Sequence, residues 1–146
     1  MLLAVVDTNV LVSGLLAGSE VSPNRRIVDA MLAGTLRFVL SDELLVEYRR
    51  VLLRPAIAER HGLTEDEVDA VLESLVLNAG FREPPAASGG LPTGRDVPMV
   101  PGDEHVVALM DASPDAVLIT GDHRLAEAVA PWRAVFGPAD FVTSSL

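Results

Sequence analysis

Residues 1–12 read MLLAVVDTNVLV, and the change of character within this stretch indicates the fold. The apolar run from Leu2 to Val6 has the length and composition of a fully buried strand. It stops at Asp7, after which an apolar pattern that can begin a helix follows. An acid directly at the end of a buried strand has two interpretations. Asp7 either caps the following helix or binds a metal at the edge of a sheet.

The rest of the chain repeats this pattern of short apolar runs separated by helical patterns. Further strands are predicted at Leu36–Leu40, Ala116–Thr120 and Ala134–Phe136. Helices are predicted from Ser22-Pro23 to Ala33, from Ser41 to Arg54, as a short piece to Arg60, from the capping box at Thr64 to Ala79, from Gly102 to Asp111, near Arg124–Val129, and as a last turn at the end. Buried strands alternating with helices are typical of an α/β fold whose parallel sheet is covered on both faces.

Composition limits the function classes. The 146 residues are most simply one domain, 1–146, and residues 84–101 are predicted to be a long Pro/Gly-rich loop with a short strand around Val97–Val100. No apolar run reaches membrane-spanning length, no secretory leader is indicated and cysteine is absent, so we expect a cytoplasmic protein without disulfides. The net charge of −10 repels nucleic acid overall, although bound divalent cations can reverse the sign at one site.

Two acids follow predicted strands of the same sheet. Asp7 comes directly after the first strand, and Asp122 follows the segment AVLITG almost directly. The carboxyl ends of parallel strands meet at one edge, so these carboxylates are expected at the edge where ligands bind. Each acid alone could equally be a helix cap, since aspartate is a preferred N-cap residue.

Two further acidic positions lie on helices. On the helical wheel, Glu47 falls at the margin of the buried face defined by Leu44, Tyr48 and Val51, so its carboxylate must be paired with an arginine, hydrogen-bonded or metal-bound. Asp103 falls within the buried face of the helix DEHVVALMD, and Glu104 lies nearer its edge. Acids in the first turn of a helix also interact favourably with the helix dipole. A purely structural role therefore stays open for both Asp103 and Glu104.

Converging carboxylates without a cysteine suit a hard cation, so Mg²⁺ or Mn²⁺ is the expected cofactor. The histidines have no metal-ligand spacing among them. His105 is predicted on the outer side of its helix, and His123 is interpreted as a surface residue rather than a substrate contact. No phosphate-binding glycine loop, dinucleotide fingerprint, nucleophile elbow or zinc-protease motif is present.

Four segments in order resemble the PIN domain family. They are VVDTNVLVSGLL, SDELLVEYRRVLLRP, PGDEHVVALM and VLITGDHRL, and the closing FGPADFV is also similar to the family's last segment. More narrowly, they resemble the toxin components of VapBC-type toxin–antitoxin systems. The resemblance implies a three-layer α/β/α sandwich with a central, mostly parallel sheet, and a metal-dependent endoribonuclease. It also implies a homodimer and a cognate antitoxin that occludes the acidic site.

The resemblance also implies roles for individual residues. The first, second and fourth acids of the family match Asp7, Glu47 and Asp122. Thr8 and Asn9 match polar residues that support the first acid, and Thr120 of the TGD segment is expected to support the site. The third acid is open, because counting back from TGD favours Glu104 whereas the helical wheel favours Asp103.

Two other functions are compatible with parts of this pattern. A phosphatase of the haloacid-dehalogenase type would use Asp7 as nucleophile, but such enzymes need a second aspartate at the position that Asn9 occupies. A non-catalytic PIN-like binding or scaffold module is the other alternative. Inward carboxylates without a function would only reduce stability, which counts against the scaffold.

Overall fold

The structure is a computed structural model that describes residues 2–84 and 101–146. The described residues form five strands and eight helices, in the order β1 Leu3–Val6, α1 Thr8–Leu16, α2 Pro23–Ala33, β2 Arg37–Leu40, α3 Asp42–Leu52, α4 Pro55–His61, α5 Glu65–Asn78, β3 Gly80–Phe81, α6 Glu104–Asp111, β4 Ala116–Ile119, α7 His123–Val129, β5 Val135–Phe136 and α8 Pro138–Ser145.

The five strands form one parallel sheet in the order β3-β2-β1-β4-β5. The chain extends the sheet in one direction from β1 through β3 and then returns to the other side of β1 with β4. The order therefore reverses between β1 and β4, and parallel sheets bind ligands at the carboxyl edge beside such a reversal. The predicted α/β/α sandwich is confirmed, and its described sheet is entirely parallel.

Apolar burial explains why these segments pair. Every residue of β1 and β4 is buried, as expected for central strands covered by helices on both faces. α6 packs on both strands and also contacts α3, while α1 packs against α2 and α3. Tyr48 of α3 and Phe38 of β2 are among the largest fully buried side chains of this core.

Most predicted elements agree with the structure to within a residue or two. The short strand β3 was not predicted, and the chain ends in the helix α8 rather than in a single turn. The strand expected around Val97–Val100 lies outside the described residues. None of the helices in the described ranges has the length and apolar character that crossing a membrane requires.

Candidate active site

Asp7 lies at the carboxyl end of β1, directly beside the end of β4. Its backbone N–H donates to the carbonyl of Ile119 at 3.0 Å, which extends the pairing of the two central strands by one residue. Its side chain is buried, with Oδ1 accepting from the backbone N–H of Thr8 at 2.9 Å and Oδ2 from the hydroxyl of Thr120 at 2.7 Å. The carboxylate is thus held at the sheet edge by both neighbouring chain segments.

The surroundings of Asp7 disfavour the ionised form of its carboxyl group. Burial raises the pKa of Asp7, and the nearby negative charges of Glu47 and Asp122 raise it further. The hydrogen bonds from Thr120 and Thr8 act in the opposite direction, because they stabilise the charged form. Asp7 accepts from the first residue of α1 rather than from the second or third, so its cap interaction is not the usual one.

Asp122 is the second acid at this edge and does cap a helix. Its Oδ1 accepts from the backbone N–H groups of Arg124 and Leu125, at 2.9 and 3.3 Å, at the start of α7. Its own N–H donates to the hydroxyl of Thr120 at 3.0 Å. Both cap bonds use the same oxygen, so capping does not engage Oδ2. The cap and ligand interpretations of Asp122 are therefore compatible.

Glu47 approaches the site from α3, with its side chain 16% exposed. Oε2 accepts from the hydroxyl of Thr8 at 2.6 Å, and Oε1 lies 3.6 Å from the guanidinium of Arg50. The partly inward direction of Glu47 that the helical wheel predicted is thus observed. An arginine, Arg50, also lies nearby. The ion pair with Arg50 is long and solvent-exposed, so it contributes little to holding the carboxylate.

The structure distinguishes the two acids at the start of α6. Asp103 is the N-cap residue and partly buried, whereas Glu104 is exposed. Burial raises the pKa of Asp103 to about 6, and the charges of Asp7, Asp122 and Glu47 add to the shift. Asp103 therefore shares an electrostatic environment with the other acids, and the described contacts do not bring Glu104 into it.

Of the residues predicted to support the acids, Thr8 and Thr120 contact them directly. Thr8 joins two of the acids, since its N–H binds Asp7 and its hydroxyl binds Glu47. Thr120 likewise joins Asp7 to the backbone of Asp122. Asn9 is exposed on the first turn of α1, and among the described residues no hydrogen bond joins it to the acids.

The prediction for His105 was wrong. Its side chain is only 13% exposed, and Nε2 lies 3.2 Å from Oε2 of Glu47. The wheel placed it away from the buried face of α6, but the first turn of this helix also faces α3, which covers it from a second side. The partly inward carboxylate of Glu47 indicated that a hydrogen-bond donor lies nearby. The spacing of residues along the sequence could not identify that donor as His105.

A groove of about 310 Å³ opens beside Glu47 and His105. Its wall is formed by residues of α3 together with the start of α6, namely Asp42, Glu43, Val46, Glu47, Arg50, Gly102 and His105. Arg50 is 58% exposed and supplies a cation at the rim of an otherwise acidic region. The groove gives a ligand larger than an ion access to Glu47.

The residues fit a hard divalent cation in their chemistry, because they offer carboxylate oxygens and share their charge. In residues 2–84 and 101–146, no three acidic or histidine side chains are already close enough together to hold an ion. Electrostatically the acids still act on one another, since Glu47 and Asp122 raise the pKa of both Asp7 and Asp103.

Fold and geometry thus define the class of protein. It is an α/β protein with an acidic site where the strand order of a parallel sheet reverses. The chain belongs to the PIN domain family, which matches residues 4–124. PIN domains are typically nucleases and generally use divalent metal ions. A comparison with curated proteins gives no significant match.

Proposed function

We propose that the protein is an Mg²⁺- or Mn²⁺-dependent endoribonuclease that hydrolyses RNA phosphodiester bonds. The observation that supports it most directly is the shared electrostatic environment of Asp7, Glu47, Asp103 and Asp122. These acids come from four separate parts of the chain, yet Asp7, Glu47 and Asp122 all raise the pKa of Asp103. Neighbouring carboxylates that are partly removed from water reduce stability, and a bound cation offsets their charge.

In this proposal Asp7, Glu47, Asp103 and Asp122 hold the ion, and Glu104 is the alternative third ligand by family spacing. When bound, the ion activates water and stabilises negative charge on a phosphoryl oxygen. The threonines Thr8 and Thr120 keep the first two acids oriented through the hydrogen bonds described above. Asn9 retains its proposed supporting role through family likeness alone.

The groove beside Glu47 is the proposed approach for the RNA strand. Its rim carries Arg50, which can contact a phosphate next to the cleaved one. The net charge of −10 otherwise repels RNA, so we expect binding to depend strongly on the divalent cation. The proposal takes residues 1–146 as one nuclease domain, which the family match over 4–124 supports.

The narrower part of the proposal is a toxin component of a toxin–antitoxin pair, acting as a homodimer in the cytoplasm. It rests on the resemblance of the four sequence segments. An antitoxin segment with a basic side chain suits the acidic site, since opposite charges favour association. Co-expression with the product of a neighbouring small gene, followed by affinity purification and light scattering, tests both the pairing and the dimer.

One assay tests the catalytic proposal. Purified protein is incubated with structured RNA, unstructured RNA and a phosphomonoester, in Mn²⁺, Mg²⁺ or EDTA. We expect RNA cleavage with either ion, none in EDTA, and loss of cleavage in Asp7→Asn. Asp66→Asn, an exposed first-turn residue of α5, removes one negative charge elsewhere and should cleave normally. Uncut RNA from folded protein favours the scaffold, and phosphomonoester turnover alone favours the phosphatase.

A further inference from the structure

His105 lies against the second acid of the site. Its Nε2 is 3.2 Å from Oε2 of Glu47, the oxygen that also accepts the hydroxyl of Thr8 at 2.6 Å. A carboxylate can only accept, so a hydrogen bond in this contact requires the hydrogen on Nε2. Nδ1 is buried and has no hydrogen-bond partner among the described residues. The contact with Glu47 is therefore the polar interaction that orients this ring.

Glu47 needs such a partner more than Asp7 and Asp122 do. Asp7 and Asp122 have short side chains, and backbone N–H groups bind them directly. The glutamate side chain is longer and loses more rotamer freedom when it is held in one position. Its short contacts come from Thr8 and His105, because Arg50 is farther away and exposed.

Both short contacts are made to the same oxygen. Thr8 reaches Oε2 from the start of α1, and His105 reaches it from the first turn of α6. Oε1 is engaged by neither of them. Thr8 and His105, on different helices, thus hold Oε2, while Oε1 lies 3.6 Å from the guanidinium of Arg50.

We propose that His105 is a positioning residue of the acidic site, fixing the orientation of the Glu47 carboxylate through its contact with Oε2. This inference rests on the proposed function, since it assigns Glu47 to the ion. Hydrogen-bond donors to metal-binding carboxylates commonly fix the ligand in this way, and their loss weakens metal affinity.

The test is calorimetric titration of Mn²⁺ into the full-length protein and its variants. Glutamine can place a side-chain N–H near the position of Nε2, whereas the amide of asparagine is one bond shorter. We expect His105→Asn to weaken Mn²⁺ binding roughly ten- to hundredfold. His105→Gln should recover most of the affinity. His123→Gln, at the exposed start of α7, is the control for loss of a histidine and should bind Mn²⁺ like the unaltered protein.

A second measurement reports on the contact without metal. In ¹⁵N spectra of the imidazoles, Glu47→Gln should shift the Nε2 signal of His105 and leave that of His61 unchanged. If His105→Asn binds Mn²⁺ as tightly as the unaltered protein while Asp7→Asn does not, His105 is not a positioning residue but the nuclease proposal stands. Equal weakening in the Asn and Gln variants, with equally lowered melting temperatures, indicates a merely structural role. An unaltered protein that fails to bind Mn²⁺ overturns both proposals.

Discussion

Thr120 donates its hydroxyl hydrogen to Oδ2 of Asp7 at 2.7 Å, although the two residues are 113 positions apart in sequence. The same hydroxyl oxygen accepts the backbone N–H of Asp122. One side chain at the end of β4 thus connects both strand-end acids. β1 and β4 are parallel neighbours in the sheet, so their carboxyl ends lie side by side and this contact can form.

The stability of Asp7 variants tests whether this residue is a structural cap. In Asp7→Asn, the amide oxygen can still accept from Thr8, the amide N–H can donate to the hydroxyl of Thr120, and the disfavoured buried charge is gone. We expect an unchanged or higher melting temperature in EDTA. Asp7→Ala leaves the N–H of Thr8 and the hydroxyl of Thr120 without their acceptor, which should cost about 1–3 kcal/mol. A large loss of stability in Asp7→Asn, measured by calorimetry, would show that the ionised carboxylate itself stabilises the fold.

The two acids at the start of α6 should respond differently to neutralisation. Asp103→Asn removes a carboxylate from the shared environment, so Mn²⁺ binding and RNA cleavage should fall by at least about tenfold, the loss typical of a disturbed metal site. Glu104→Gln changes an exposed side chain of the same helix turn and should alter both by less than about twofold, as surface substitutions usually do. The reverse ranking would favour the ligand predicted from family spacing.

Much of this site could be predicted because its residues stand at positions that local patterns define. A short apolar run followed by an acid predicts a strand end, and β1 and β4 carry Asp7 and Asp122 in that way. Helical periodicity also predicted that Glu47 turns partly inward, since its neighbours Leu44 and Tyr48 are fully buried.

The remaining features depend on contacts between distant elements. His105 lies on α6 and is covered by α3. A helical wheel drawn for α6 alone contains no information about α3. β3 consists of two residues, Gly80 and Phe81, that are too few to form a pattern and are exposed. The wheel did separate Asp103 from Glu104 correctly in burial, although family spacing favoured the other residue.

The raised pKa of Asp103 predicts a pH dependence of stability without metal. Its ordinary value is 3.8 and its value in the folded protein is about 6, so the folded state binds more protons between these values. The free energy of unfolding should therefore decrease as the pH rises from about 4 to about 6, from this group alone. The raised pKa of Asp7 acts in the same direction.

Urea denaturation in EDTA across this pH range measures the effect. Asp103→Asn should flatten the dependence, because the titrating group has been removed. Saturating Mn²⁺ should reverse the trend, since the cation binds the ionised carboxylates and binding strengthens as protons leave. A slope that is identical in the variant and the unaltered protein would contradict the assignment to Asp103.

Tyr48 anchors the helix that carries Glu47. Its buried hydroxyl donates to the carbonyl of Val6, the last residue of β1, at 2.5 Å. Burial raises its pKa well above the ordinary value, with the charges of Asp7 and Glu47 adding to the shift, so the hydroxyl remains a donor. Tyr48→Phe should lower the free energy of unfolding by about 1–3 kcal/mol, because it removes the donor from a buried carbonyl. Denaturant unfolding measures this, and a change within error would contradict the anchor.

Close packing of α1 against α2 depends on a glycine away from the acids. A Cβ built on Gly14 would lie 2.4 Å from Cγ2 of Val28 and 2.6 Å from the backbone oxygen of Asn24, so the helices would have to separate. Alanine favours a helix over glycine by about 1 kcal/mol, which offsets part of the cost. Overpacking typically costs about 1–3 kcal/mol, so we expect Gly14→Ala to be destabilising on balance. Gly18, beyond the end of α1, is the control for the substitution itself, because a Cβ there meets nothing within 4 Å. Gly18→Ala should leave the unfolding midpoint in urea unchanged or slightly raised, and equal midpoints for the two variants would show that the helices yield without cost.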